Sequence, residues 1–133
     1  MDYIYTAEIP NEEELFELYE KLGFNDFLQL SASQLYRAMQ QSFASVYVYA
    51  GGQLVGTGRC VSDGVISAYL CGLGVLAEHR GNGVGSEIIR QLVVRCRENG
   101  LHIQLFCGEN LVGYYEKLGF REFAVGMQFK NLP

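Results

Sequence analysis

Apolar residues recur every three or four positions along two segments near the N-terminus. The first segment follows Asn11, which favours a helix start, and stops at Gly23, which favours a helix end. Its apolar stripe consists of Leu15, Leu18, Tyr19 and Leu22. The second segment follows Ser31 and carries Leu35, Ala38, Met39 and Phe43. Both patterns predict amphipathic helices.

Between residues 46 and 75 the apolar pattern changes to that of β-strands. Val46–Tyr49 alternates valine with tyrosine, and the Gly51–Gly52 pair favours a tight turn into a second strand over Leu54–Val61. Asp63–Gly64 indicates a further turn before a third strand over Val65–Val75.

The C-terminal half returns to a helical stripe that begins after residue 83 and ends at Asn99–Gly100. It is followed by a short strand over 101–107, a short helix over 111–118 and a final extended segment, Phe123–Phe129. The predicted order is α-α-β-β-β-α-β-α-β in one domain over residues 1–133. That order predicts an α/β (α+β) fold with helices packed on a mixed sheet.

Composition narrows the class of protein further. The net charge is −5, with 10 Lys+Arg against 15 Asp+Glu, and this argues against binding nucleic acid through phosphate contacts. No apolar run is long enough for a membrane span, and the N-terminus lacks the pattern of a signal peptide. The four cysteines show no metal-ligand spacing, so we expect buried free thiols, no metal and a cytoplasmic protein.

The strongest chemical signal lies between the third strand and the longest helix, in Arg80, Gly81, Asn82, Gly83, Val84, Gly85 and Ser86. Alternate glycines let main-chain N–H groups converge on an anion, and the following helix start adds free amides. The segment predicts a phosphate or pyrophosphate site, with Val84 pointing back to the core. The alternative is a flexible glycine loop without a ligand.

Two other phosphate motifs do not fit. No lysine follows these glycines, as a nucleoside-triphosphate loop requires. Gly72–Ala77 spells G-x-G-x-x-A, but a dinucleotide fingerprint opens a helix directly, and here residues 76–82 intervene.

The glycine loop, together with the Tyr115–Phe120 segment downstream, resembles the GNAT superfamily of acetyl-CoA-dependent N-acetyltransferases. The resemblance implies a splayed central sheet and a loop that holds the CoA pyrophosphate. It also implies that main-chain groups of Leu73, Gly74 and Val75 hold the pantetheine arm. Tyr115 matches the family's tyrosine that protonates the departing thiolate, whereas we expect Tyr114 to pack in the core.

The same resemblance implies acetyl transfer to a primary amine, and a homodimer is common among relatives. The chain looks closest to a plant and cyanobacterial branch that includes serotonin-acetylating enzymes, on the strength of Leu54–Gly56, Arg59, Ser62–Gly64 and Gly126–Met127. That branch usually carries an aspartate where this chain has Gly72. Glu109 is therefore our candidate catalytic base, with His79 and Asp63 as weaker alternatives. A CoA-binding sensor without turnover is the alternative function, and the acceptor amine stays open.

Overall fold

The computed structural model describes residues 2–130 and contains one five-stranded mixed sheet. Its strands, in the order in which they neighbour one another, are β1 (Tyr3–Thr6), β2 (Ala44–Ala50), β3 (Gln53–Ser62), β4 (Ser67–Val75) and β5 (His102–Leu105). The first four pair antiparallel, and β5 lies parallel to β4. The predicted mixed sheet with packed helices is confirmed.

Five α-helices accompany the sheet: α1 (Glu12–Lys21), α2 (Asn25–Leu28), α3 (Ala32–Gln40), α4 (Val84–Glu98) and α5 (Val112–Lys117). The side chain of Asn11 accepts a hydrogen bond from the Glu14 amide at 2.8 Å, so the predicted helix start is confirmed. Ser31 and Gln34 form the reciprocal cap that opens α3. No helix within residues 2–130 has the length and apolarity needed to cross a bilayer.

Helices cover both faces of the sheet. A Cβ at Gly58 in β3 would meet Ile88 of α4, whereas a Cβ at Gly74 in β4 would meet Leu22 beside α1. The buried apolar residues of both layers join in one core. Cys60 and Cys96 lie inside it as free thiols, but Cys71 is only half-buried and Cys107 is exposed, so the expectation of buried thiols was wrong for Cys107.

The sheet is irregular on both sides of the last residues of β4. Pairing with β5 covers only Ser67–Leu70 of β4, so residues 71–75 have no partner on that side. On the other side the register with β3 shifts between Thr57 and Arg59, and Gly72 has φ +61°. This is a β-bulge, and it confirms the predicted splay in the centre of the sheet.

Three elements differ from the sequence prediction. Strand β1 and the short helix α2 were not predicted, and Phe123–Phe129 is not a strand. The apolar residues of this last segment alternate as in a strand, yet Phe123 is 63% exposed and Met127 91% exposed. The segment does alternate apolar residues with others, but it forms no strand because it has no hydrogen-bonded partner strand within residues 2–130.

Candidate acetyl-CoA site

The glycine loop adopts a conformation that most residues avoid. Gly81 and Gly83 have φ +81° and +78°, and a Cβ at either position would point into open space. Glycine at these two positions therefore allows the positive φ angles and leaves the main chain of the loop exposed. Val84 is 1% exposed and packs in the core, as predicted.

The main-chain N–H groups of residues 81–86 are free to bind a ligand. None of them donates a hydrogen bond to another group within the described residues. The first main-chain amide after them that does so is that of Glu87, which donates to the carbonyl of Gly83 at 3.1 Å. These amides lie at the N-terminus of α4, which has 15 residues and a positive dipole end. Such an array suits a diphosphate.

Two loop side chains stabilise the loop rather than extend from it. Nε of Arg80 donates to the carbonyl of Val75 at 3.1 Å, which fastens the loop to the end of β4. The amide nitrogen of Asn82 donates to the carbonyl of His79 at 3.2 Å. The side chain of Asn82 therefore turns back onto the loop, and only its main chain is available to a ligand.

A cavity of about 400 Å³, here called the loop cavity, joins the predicted cofactor residues. Its walls include Leu73, Gly74 and Val75 from the unpaired end of β4, and α5 contributes Tyr115. From the loop they include Arg80, Gly81, Gly83, Val84, Gly85 and Ser86. The structure thus brings the strand end, the loop and the tyrosine into one space, while Asn82 does not line it.

Tyr114 belongs to this site, so the prediction of core packing was wrong. Its side chain is 39% exposed and lines the loop cavity. Its hydroxyl group lies 3.3 Å from Oγ of Ser86, at the start of α4. The sequence holds no signal for this contact, because it depends on how the short helix α5 docks against α4.

Tyr115 lies between two cavities. It lines the loop cavity and also a second space of about 550 Å³, here called the edge cavity, between β5 and residues 120–126. Burial, followed by the neighbouring Tyr114 and Cys107, raises the pKa of Tyr115 above its usual value. The phenol therefore stays protonated at neutral pH, as a proton donor must.

Glu109 is separated from the loop cavity. It is exposed in a 3-10 turn over Glu109–Leu111 and lines the edge cavity together with Glu116. His79 does line the loop cavity, but its Nδ1 lies 3.1 Å from the hydroxyl of Tyr3 in the unpredicted strand β1. Asp63 caps its own turn by accepting from the amides of Val65 and Ile66, which lowers its pKa.

Comparison with known proteins agrees with this geometry. Residues 12–120 match the model of the acetyltransferase (GNAT) family, so the chain belongs to that family. It is an acetyltransferase by family, and this family uses acetyl-CoA. Among proteins with curated functions, none matches the sequence significantly.

Solved structures share the fold at low sequence identity. A GNAT family acetyltransferase from Streptococcus pneumoniae is 24% identical, with a TM-score of 0.76 over 98% of this chain and 97% of that one. A Trypanosoma brucei acetyltransferase is 22% identical, with a TM-score of 0.79 over 98% and 100%. Glucosamine-6-phosphate N-acetyltransferase from Arabidopsis thaliana is 15% identical, with a TM-score of 0.78 over 98% and 99%.

Proposed function

We propose that this protein transfers the acetyl group of acetyl-CoA to a primary amine by direct attack in a ternary complex. The observation that carries the proposal is the run of free amides over residues 81–86, which opens into the same cavity as the unpaired end of β4. The amides suit the diphosphate of CoA. The main-chain groups of Leu73, Gly74 and Val75 that face away from β3 suit the pantetheine arm and the thioester carbonyl, except for the Val75 carbonyl, which accepts from Arg80.

The reaction requires two proton movements. The neutral amine nitrogen forms a bond to the acetyl carbon, the carbon–sulfur bond breaks, and the sulfur leaves as a thiolate. Tyr115 donates a proton to that thiolate, because it lines the cavity and stays protonated at neutral pH. We propose Glu109 as the acceptor of the amine proton, because it lies in the edge cavity on the other side of Tyr115.

The finer assignments follow from the same residues. Arg59 and Ser62–Gly64 support placement beside the serotonin-acetylating branch, and Gly72 is the departure from it. The net charge of −5 supports a small-molecule amine or a protein lysine as acceptor, rather than nucleic acid or an acidic membrane surface. We also propose a cytoplasmic location and a homodimer.

A catalytically weak CoA sensor is the second candidate, favoured by one observation. Strand β4 carries no carboxylate along Ser67–Val75, so no acidic base lies on the strand that would hold the thioester. The deciding experiment incubates the protein with acetyl-CoA and a panel of amines, and measures N-acetylated product by mass spectrometry. Product formation above the uncatalysed rate supports the enzyme. CoA binding without product from any amine supports the sensor.

A further inference from the structure

A positively charged side chain without an acidic partner lies beside the bulge of β4. Arg59 in β3 is half-buried and lies directly opposite Cys71 in the sheet register. Its Nη1 has one long hydrogen bond, to Oγ of Ser42 at 3.4 Å. No carboxylate within residues 2–130 forms an ion pair with it.

The other polar groups around Arg59 do not neutralise it. Burial raises the pKa of Tyr19 and of Cys71, and the nearby guanidinium of Arg59 offsets only part of that rise. Phenol and thiol are therefore neutral at physiological pH, as is the hydroxyl of Ser42. The hydroxyl of Tyr19 also lies within hydrogen-bonding reach of Arg59. A half-buried guanidinium that makes no ion pair gains a charge-assisted hydrogen bond when an anion binds to it.

Gly72 explains why the partner is missing. A Cβ at this position would lie 3.8 Å from Nε and from Cγ of Arg59. A carboxylate on residue 72 would thus reach the guanidinium, but this chain has a glycine there. The glycine leaves the charge of Arg59 uncompensated one residue before Leu73, where the acetyl group is proposed to lie.

We propose that Arg59 binds an anionic group, a carboxylate or a phosphate, on the acceptor amine. This inference rests on the proposed acetyl transfer and names the class of its substrate: an amine that also carries an acidic group. The ligand supplies the negative charge that residue 72 does not. The same uncompensated charge repels polyamines, which carry only positive groups.

The test measures binding with CoA present, so that it does not depend on turnover. The probes are two matched pairs, phosphoethanolamine with ethanolamine and γ-aminobutyrate with n-butylamine, and also inorganic phosphate. Calorimetry on the wild type should show at least about tenfold tighter binding of the anionic member of a pair, and measurable phosphate binding. Arg59→Gln should remove that preference, and Arg97→Gln, on the exposed end of α4, should keep it.

Gly72→Asp and Gly72→Asn give the sharper comparison. Both place a side chain of the same size at φ +61°, beside the hydroxyl of Tyr19, but only aspartate neutralises Arg59. We expect Gly72→Asp to lose the preference for anionic amines and Gly72→Asn to retain it. Equal effects of the two changes, or no preference for the anionic probes in the wild type, would overturn the inference. Anion binding without any acetylated product would instead refute only the proposed enzyme activity.

Discussion

The hydroxyl of Tyr114 lies 3.3 Å from Oγ of Ser86 and thereby joins α5 to the first turn of α4. The same oxygen lies 3.1 Å from the point that a Cβ at Gly85 would occupy. Helix α5 therefore closes one side of the loop cavity with two neighbouring tyrosines. Tyr114 contacts the helix start, and Tyr115 faces both cavities.

Gly83→Glu should abolish CoA binding while the protein stays folded. The Cβ of the new side chain would meet no atom within 4 Å, but its negative charge would lie beside the proposed diphosphate site. Gly100→Glu is the matched control, because Gly100 also has positive φ and open space but lies beyond the far end of α4. Each change should cost about 1–2 kcal/mol of stability from backbone strain. Calorimetry with CoA checks the result, and unchanged affinity in Gly83→Glu would refute the site.

Tyr115→Phe should lower kcat by about 100-fold and leave the affinity for acetyl-CoA nearly unchanged, since it removes only the hydroxyl that is proposed to donate the proton. Tyr114→Phe is the neighbouring control; it loses the contact with Ser86 and should change affinity more than kcat. Steady-state rates from product chromatography separate the two effects. A Tyr115→Phe protein that is merely unstable would show that this residue serves packing alone.

The pH dependence of turnover follows from the raised pKa of Tyr115. Because burial favours the neutral phenol, the proposed proton donor is present throughout the neutral range and is lost only as pH rises above the ordinary tyrosine value of about 10. The rate in wild type should therefore show no decline from this group between roughly pH 7 and pH 10. A fall in rate that begins below about pH 9 as the pH rises, and that is absent in Tyr115→Phe, would contradict the raised pKa of Tyr115.

Gly74→Ala should destabilise the fold by about 1–3 kcal/mol. The added Cβ would lie 2.8 Å from Cδ1 of Leu22 and 3.0 Å from Cζ of Phe24, so these two side chains would have to shift in a close-packed layer. Gly113→Ala provides the contrast, because that Cβ meets nothing within 4 Å and lies in helix α5. It should stabilise the protein by about 0.5–1 kcal/mol. Urea unfolding of both variants measures the difference, and a neutral Gly74→Ala would show that the close packing there is not required.

The cysteines should differ in reactivity according to burial. Cys107 is exposed and should react rapidly with a thiol reagent, and half-buried Cys71 more slowly. Cys60 and Cys96 lie in the core with their sulfur atoms 3.3 Å apart, and burial raises the pKa of Cys60. These two should react only after unfolding. Mass mapping of labelled peptides tests this order, and early labelling of Cys60 would contradict the packing of β3 against α4.

Local signals predicted the parts of the fold that depend on neighbouring residues. The segment Tyr19–Phe24 recurs as Tyr115–Phe120, and both copies end a helix in the same way. In each copy the amide of the phenylalanine donates to the tyrosine carbonyl at 3.1 Å, and the glycine has positive φ. The glycine loop was equally predictable, because its free amides follow from the alternate glycines and from the helix start beside them.

The features that were missed depend on contacts between distant residues. Strand β1 has four residues and exists because it pairs with β2, which no local pattern reveals. Conversely, Phe123–Phe129 has a strand pattern but pairs with no strand in the part of the chain that the structure describes, residues 2–130. The sequence alone gave no reason to single out the charge of Arg59, because its position beside Cys71 and Gly72 depends on the register between β3 and β4. Whether a segment forms a strand here depends on whether it has a partner strand to pair with, and not on its strand propensity.

Between the side chains of Arg80 and Ser86, the surface that the glycine loop offers to an anion consists of peptide groups, since Asn82 turns inward and Gly81 and Gly83 have no side chains. Peptide groups are the same in every sequence that keeps the glycines and the start of α4. Side chains elsewhere on the domain can therefore diverge over evolutionary time without weakening the binding of an anion by these peptide groups. The same fold can thus change the acceptor that it binds while the proposed site for acetyl-CoA stays constant.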